Sequence, residues 1–272
     1  MIPLKDNIRP QRTPFINYLL MAVTAIVFLI QMQQGLDGEH RLSTSFGMIP
    51  KRVTHPDETV YVNAIQKTNT GFLVRKQVPL EPGPIHPWLT VLTCIFLHAG
   101  WAHFLGNMWF LYVFGDNVED RLGHLGFLVF YLATGALASL SHLATAPEST
   151  VPTVGASGAI AGVMGAYLLL FPRATVVTLI PYVILTVINI SAWVFLFVWF
   201  GDQFFLGSIS LANTNPNSGG VAWWAHIGGF VAGALAIVVL RKVGWLRKHP
   251  VVARPQITRR GRRYARKPRR RY

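Results

Sequence analysis

The chain has 272 residues, of which 51% are hydrophobic and only 13% are charged, and its mean hydropathy is +0.38. Soluble domains carry about 25% charged residues, so this composition argues against a soluble globular domain and favours a chain embedded in a membrane. The formal net charge of +14 is unevenly spread, because 14 of the 25 Lys and Arg residues lie within positions 241–272.

Six stretches of the sequence are apolar over about the length that a membrane helix needs, roughly 20 residues. They are residues 15–34, 90–114, 122–143, 157–171, 175–200 and 222–240. The first ends in Gln31-Met32-Gln33-Gln34 without a small-residue cleavage site, so we expect a retained anchor and not a secretory signal. The predicted fold class is all-α: a polytopic membrane protein with a six-helix transmembrane bundle at 15–243, in which 35–89 forms a long external loop.

The basic residues between the spans predict the orientation of the chain. Lys and Arg occur before the first span, at Arg121, at Arg173 and after the last span, whereas the loops 144–156 and 201–221 contain neither. Because short cytoplasmic loops are enriched in Lys and Arg, we expect both termini in the cytoplasm. The loop 35–89 carries six basic residues, but it also carries five acidic ones and is too long to weigh heavily in this rule.

Two segments flank the predicted bundle, a short one at 1–14 and a basic tail at 244–272. The tail ends in RRGRRYARKPRRRY, with almost no apolar residues, so we expect it to be disordered. A basic segment that follows a membrane helix commonly contacts anionic lipids or keeps that end of the chain in the cytoplasm. The expected partner of the tail is therefore the lipid bilayer, and nucleic acid is not expected.

A small polar set remains inside the predicted spans, and its members share one depth. Ser157 lies 16 residues before the next basic residue and His226 lies 15 before the next one, about 22–24 Å in each case. His103 lies about 20 Å from the acidic residue near the end of its own span. Each residue alone could serve helix packing, but independent packing residues have no reason to share a depth. The common layer favours a catalytic site.

The fourth stretch, 157–171, is too short to cross a membrane, and the residues 152–156 before it do not have a helical pattern. Ser157 is therefore expected at a helix N-terminus, whose free N–H groups and dipole stabilise a developing anion. His103 and Asn107 lie four residues apart on one face of the second span. Both could donate to an oxyanion beside the Ser157 N–H.

Glycines at four-residue spacing predict close packing of the fourth and sixth spans, because small residues let helix backbones approach. The two pairs are Gly158 with Gly162, and Gly229 with Gly233. Such packing would bring His226 within hydrogen-bond reach of Ser157, as a general base requires.

Taken together, these motifs resemble those of the rhomboid family. The matching segments, in the family's order, are His98-x4-His103-x3-Asn107, Gly155-Ala156-Ser157-Gly158 and Ala225-His226-x-Gly228-Gly229-x3-Gly233. The resemblance implies a serine protease that cleaves transmembrane protein substrates near the outer face of the membrane, without metal or cofactor. It implies Ser157 as nucleophile and His226 as base. Oxyanion donors would be His103, Asn107 and the Ser157 N–H.

The stretch Phe114-Gly115-Asp116-Asn117-Val118-Glu119-Asp120 is similar to that of bacterial members, so a bacterial plasma membrane is expected. Two positions depart from the family pattern. Trp88 is followed by Leu89 where many members have Arg, which leaves the anchoring of the first external loop open. Ala161 occupies the place of an aromatic residue that stacks on the histidine in some members, so His226 has to be oriented by another group.

The acidic residues predict a Ser–His dyad and not a triad. After Asp120 only Glu148 and Asp202 occur, and both fall in predicted external loops. A triad carboxylate orients the histidine of soluble serine proteases. Here we expect helix packing and neutral hydrogen-bonding groups to orient His226.

Two other functions remain open. One is a catalytically inactive relative that binds membrane proteins, although both members of the dyad are present. The other is a small-solute transporter, against which stand the missing internal repeat and the absence of charged residues from the predicted spans. A zinc protease is excluded more simply, because the sequence has no H-E-x-x-H motif.

Overall fold

The structure, a computed structural model, describes residues 1–33, 35–67, 73–181, 185–212, 220–248 and 252–253. Its helices are Phe15–Gln33 (α1), Gly35–Phe46 (α2), Pro50–Thr54 (α3), Thr90–Thr93 (α4), Trp101–Leu122 (α5), His124–Thr145 (α6), Ser157–Leu170 (α7), Ala192–Ala212 (α8) and Trp223–Lys242 (α9). Its strands are Ile2–Asp6 (β1), Ile8–Arg9 (β2), Tyr61–Lys67 (β3), Leu73–Pro79 (β4), Thr175–Pro181 (β5), Leu185–Ser191 (β6) and Val252–Ala253 (β7). Short 3₁₀ turns at Pro87–Leu89 and Cys94–Phe96 flank α4.

Helix α7 lies at the centre of the helical bundle. Every residue from Gly158 to Tyr167 is buried, with α5, α6 and α9 packed around the helix. A helix that is apolar on all sides needs apolar surroundings, and other helices supply them here. Six of its 14 residues are Gly or Ala, so the backbones of its neighbours can approach closely.

The contact between α7 and α9 is a contact of backbones. A β-carbon placed on Gly229 would lie 2.0 Å from the carbonyl oxygen of Gly158. One placed on Gly233 would lie equally close to the carbonyl oxygen of Gly162. The β-carbon positions of Gly158 and Gly162 face α6 instead, with side-chain atoms 2.6 Å away. The glycine pairs therefore fix α7 between two helices at once.

Helix α1 is tied to α5 through a buried carboxylate. Glu119, 1% exposed, accepts hydrogen bonds from the backbone N–H groups of Ile16 (2.9 Å) and Asn17 (2.7 Å) in the first turn of α1. These groups have no partner within their own helix, and the dipole of α1 favours a negative charge at this end. The carboxylate of one helix thus caps the other.

A small sheet lies at the end of the bundle opposite Ser157. Strand β5 pairs antiparallel with both β1 and β6, which gives the order β1-β5-β6, and β2 pairs with β7. The predicted helical span 175–200 is therefore wrong. The first part of this stretch forms the β5–β6 hairpin. The helix that follows is α8, at Ala192–Ala212. The hairpin is rich in Thr, Val and Ile, whose branched β-carbons favour strands, and average hydropathy does not register this preference.

The second predicted span, 90–114, is broken. The segment Pro87–Phe96 and helix α5 meet at a bend of 78°. Of the helices within the described ranges, α1, α6, α8 and α9 are long and apolar enough to cross a membrane, and the bent pair makes a fifth such span. Helix α7 is a shorter apolar helix. The predicted class, a mostly helical polytopic membrane bundle, is confirmed, whereas six crossing helices stays a prediction.

The predicted external loop 35–89 contains α2, α3 and the β3–β4 hairpin. Arg52, 9% exposed, anchors this segment by donating to the carbonyl oxygens of Thr44 (2.8 Å) and Glu81 (2.7 Å). Burial lowers the pKa of Arg52 from its ordinary value. Leu89, which replaces the family's Arg, is 54% exposed and does not take this role.

Part of the predicted disordered tail, 244–272, is ordered: residues 244–248 and 252–253 have defined positions. The backbone of Arg247 donates to the carbonyl oxygen of Arg121 (3.0 Å), and Arg121 Nη1 donates back to the carbonyl oxygen of Arg247 (2.8 Å). Strand β7 then pairs with β2. These backbone contacts could not be read from the basic composition. The remainder of the predicted tail, 249–251 and 254–272, lies outside the described residues.

We expect Gly233→Ala to lower the free energy of unfolding by about 1–3 kcal/mol, because the added methyl group would push α9 away from α7. The matched control is Gly201→Ala on α8, since no atom lies within 4 Å of its β-carbon position and Ala is favoured over Gly inside a helix. Thermal unfolding of both variants in detergent measures the difference. Equal Tm values for the two variants would contradict the backbone contact.

Candidate active site

Ser157 is the first residue of α7, as its sequence context predicts. The segment before it is held at both ends: Met48 and Thr153 exchange backbone hydrogen bonds of 3.1 and 2.8 Å, and the Gly155 N–H donates to the carbonyl oxygen of Cys94 (2.9 Å). These contacts satisfy backbone groups that would otherwise be unpaired in an apolar environment. They leave the hydroxyl of Ser157 directed at α9.

His226 lies in the first turn of α9 and is 9% exposed. Its Nε2 lies 2.8 Å from Ser157 Oγ, within hydrogen-bond distance. Ser157 is the first residue of α7, and His226 lies in the first turn of α9. The nearby contact between Gly158 and Gly229 brings these two helix ends together. The sequence distance of 69 residues between nucleophile and base candidates is thus bridged by helix packing alone.

Gly155 makes room for His103. Its φ angle is +129°, a conformation that residues with a side chain rarely adopt. A β-carbon at Gly155 would lie 2.7 Å from both Cε1 and Nε2 of His103. The imidazole of His103 therefore rests against the backbone that leads into Ser157.

Asn107 lies one turn after His103 on α5 and is 8% exposed. Its amide Nδ2 donates to Nε2 of His98 at 2.9 Å, which leaves its second N–H free to meet a ligand. His103, Asn107, Ser157 and His226 all line one cavity of about 770 Å³. Within the described ranges, no group of three His, Cys, Asp or Glu side chains is placed to hold a metal ion.

His98 holds the Asn107 amide in place. Its sequence motif alone did not define this role. His98 is fully buried, and its backbone is clasped by the side chain of Gln31 from α1. The His98 N–H donates to Gln31 Oε1 (3.0 Å), and Gln31 Nε2 donates to the His98 carbonyl oxygen (3.4 Å). Gln31 on α1 thus positions Asn107 indirectly, through His98.

Gln203 is the site residue that sequence reasoning missed. Its Oε1 lies 2.6 Å from Nδ1 of His226, and the glutamine is 7% exposed. Residues 201–221 were predicted as an external loop, but residue 203 lies inside α8. Gln203 follows Asp202 in a helix that is mostly apolar, and only the position of α8 shows that the glutamine, and not its charged neighbour, faces the protein.

The two acidic residues considered for a triad lie away from His226. Asp202 is on the exposed face of α8, which corrects its predicted place in a loop. Glu148 pairs with Lys51 at 3.3 Å, and its other oxygen lies 3.8 Å from Nδ1 of His55. Among the hydrogen bonds of the described residues, both ring nitrogens of His226 are matched with neutral partners.

Aromatic rings flank His226 in place of the residue missing at Ala161. The ring centroid of Trp199, on α8, lies 6.0 Å from that of His226 with an interplanar angle of 34°. Trp223 approaches edge-on at 6.2 Å. Ala161 itself is fully buried in the centre of α7. The aromatic contacts of the histidine ring therefore come from α8 and α9, and not from α7.

The site can be compared with known proteins. Residues 86–243, more than half of the chain, match the profile of the Rhomboid domain. Rhomboid protease GluP of Bacillus subtilis (strain 168) is 34% identical over 155 residues, which cover 56% of this chain and 26% of that protein. Rhomboid-like protein 11, chloroplastic, of Arabidopsis thaliana is 43% identical over 75 residues, 28% of this chain and 26% of that protein.

Rhomboid protein 1, mitochondrial, of Saccharomyces cerevisiae is 28% identical over 197 residues, 67% of this chain and 53% of that protein. The chain thus spans between about a quarter and about half the length of these three relatives. The domain match covers the broken span, the central helix α7 and the facing helix α9, which together carry all the predicted site residues. This chain is an integral membrane protein and belongs to the rhomboid family.

Proposed function

We propose that the protein is an intramembrane serine endopeptidase that hydrolyses transmembrane protein substrates with a dyad of Ser157 and His226. The observation that carries the proposal is the 2.8 Å contact between Ser157 Oγ and His226 Nε2 at the wall of a cavity among membrane helices. A nucleophile and a base within hydrogen-bond reach are the signature of covalent catalysis by a hydroxyl group. GluP, a relative by sequence, is named a protease.

In the proposed mechanism, His226 Nε2 accepts the hydroxyl proton as Ser157 Oγ attacks the carbonyl carbon of the substrate. The tetrahedral oxyanion lies against the N–H of Ser157 and the side chains of Asn107 and His103. His226 then returns the proton to the departing amine, and an acyl-enzyme ester remains on Ser157. Water, deprotonated by His226, attacks the ester carbonyl. His226 then returns that proton to Ser157 Oγ as the C–O bond breaks and the second product leaves.

The proposed orientation places both termini in the cytoplasm of a bacterial cell, with the enzyme in the plasma membrane. It is supported by the basic residues near α5, α7 and α9 and by their absence from residues 144–156. Strands β1 and β7 belong to sheets at the end of the bundle opposite Ser157, which agrees with termini on one side. The cleavage site would then lie towards the outer face.

We expect Ser157→Ala and His226→Ala each to abolish cleavage, because loss of a nucleophile or its base can cost about a millionfold in a serine protease. The measurement is cleavage of model transmembrane substrates by purified protein in detergent. The control is Ser208→Ala, which removes an exposed hydroxyl on α8. Cleavage by Ser157→Ala at the wild-type rate would contradict the assignment, and a folded wild-type protein without activity would favour an inactive relative.

Asn107→Ala should have a smaller effect than loss of the dyad. One oxyanion donor is typically worth about 10²–10³ in rate, and His103 with the Ser157 N–H would remain. The measurement is kcat on the same substrates, with Tm as the check on folding. An unchanged kcat would show that Asn107 serves only to tie α5 to His98.

The double variant Glu148→Gln with Asp202→Asn should cleave at close to the wild-type rate, since neither carboxylate is hydrogen-bonded to His226. Removing a true triad carboxylate costs about 10⁴ in kcat. A loss of that size in the double variant would require one of these acids to reach the histidine and would overturn the dyad.

A further inference from the structure

The distal half of α8 is exposed along most of its surface, and it meets α9 along one narrow face. From position 201 to 211, Gln203 and Gly207 are buried and the remaining residues are exposed. Many of the exposed residues are large and apolar, among them Phe204, Phe205 and Ile209. An amide in such a helix costs free energy unless its polar atoms are hydrogen-bonded. Gln203 therefore stands out as the polar group of this half that faces the protein.

The partner of Gln203 is the base of the proposed dyad. Its Oε1 lies 2.6 Å from Nδ1 of His226, on the opposite side of the ring from Ser157. An amide oxygen can only accept a hydrogen bond, so the hydrogen of this pair belongs to Nδ1. The neutral ring then carries its lone pair on Nε2, the nitrogen that faces Ser157 Oγ. This is the tautomer in which the imidazole can take a proton from the serine.

The surrounding rings restrict His226 but do not select its tautomer. Trp199 and Trp223 lie beside the imidazole, with centroids 6.0 and 6.2 Å away. Neither an aromatic face nor an aromatic edge at this distance decides which nitrogen carries the hydrogen. Only a directional acceptor at Nδ1 does so. Among the described hydrogen bonds of His226, that acceptor is Gln203.

We propose that Gln203 is a positioning residue of the dyad: a neutral hydrogen-bond acceptor on α8 that holds His226 as the Nδ1–H tautomer and aims Nε2 at Ser157. The inference rests on the proposed serine protease function and names the group that takes the place of a triad carboxylate.

Three substitutions separate this role from packing. Gln203→Met keeps a side chain of similar length and removes the acceptor, Gln203→Ala removes both, and Gln203→Glu keeps the acceptor. The matched control is Asp202→Asn, which changes the neighbouring exposed side chain. Two rates are measured in detergent: cleavage of a transmembrane substrate, with kcat and KM determined separately, and covalent labelling of Ser157 by a fluorophosphonate. Tm is recorded for every variant.

We expect Gln203→Met and Gln203→Ala to lower kcat and the labelling rate by similar factors of about 10 to 100, the usual effect of leaving one buried donor unpaired. KM should stay within about twofold, because Gln203 holds the base and not the substrate. Gln203→Glu should stay within about tenfold of wild type. As the pH is lowered, the Gln203→Glu variant should lose activity at a higher pH than wild type does. The reason is that a carboxylate beside the ring favours the imidazolium ion.

The proposal is overturned if Gln203→Met labels and cleaves at the wild-type rate, or if it is more active than Gln203→Glu, since shape alone would then explain the residue. This failure is distinct from failure of the proposed function. If the fluorophosphonate does not label wild-type protein at Ser157, and cleavage does not depend on Ser157, the serine protease proposal itself is wrong. Labelling of Ser157 that is insensitive to Gln203→Met rejects only the positioning role.

Discussion

The backbone contact between α7 and α9 is the constraint on which the remainder of the site depends. Gly229 and Gly233 leave no space for a side chain where they meet the carbonyl groups of α7. Lipid supplies no hydrophobic driving force between helices. Helices that approach this closely are held together by van der Waals contact instead. The same approach sets the distance between the first residue of one helix and the first turn of the other, and that distance is the Ser157–His226 contact.

Asn107 and His226 are each held by a residue from another segment of the chain. Gln31 on α1 clasps His98, His98 accepts from Asn107 on α5, and Gln203 on α8 accepts from His226 on α9. Buried polar groups are costly when unpaired, so these hydrogen bonds fix the orientation of the Asn107 amide and of the His226 ring more firmly than packing alone. The arrangement uses no charged side chain among these pairs, which avoids the larger cost of desolvating an ion.

The sequence allowed the fold class, the short helix α7 and the candidate residues Ser157, His226, His103 and Asn107 to be predicted, because hydropathy and glycine spacing report depth and close approach. It did not allow the conformation of 175–200 to be predicted. Average hydropathy is equally high for an apolar hairpin and an apolar helix, and only the content of β-branched residues distinguishes them.

That one error hid another. With 201–221 placed in a loop, Gln203 had no defined neighbour, and its contact with His226 across 23 residues depends on the pairing of α8 with α9. The expectation that neutral groups would orient His226 came only from the lack of a suitably placed acidic residue in the sequence. The identity of the group came from three-dimensional packing, which a single sequence does not encode in any local pattern.

The short length of α7 has a consequence for how water reaches the site. Fourteen residues rise about 21 Å, whereas the hydrocarbon core of a bilayer is about 30 Å thick. Since α7 is enclosed by other helices, the missing turns are not replaced by lipid, and the space above Ser157 is the cavity of about 770 Å³ lined by both polar and apolar residues. A helix that stops early thus leaves a well at membrane depth, and water in that well would reach Ser157 without a separate channel.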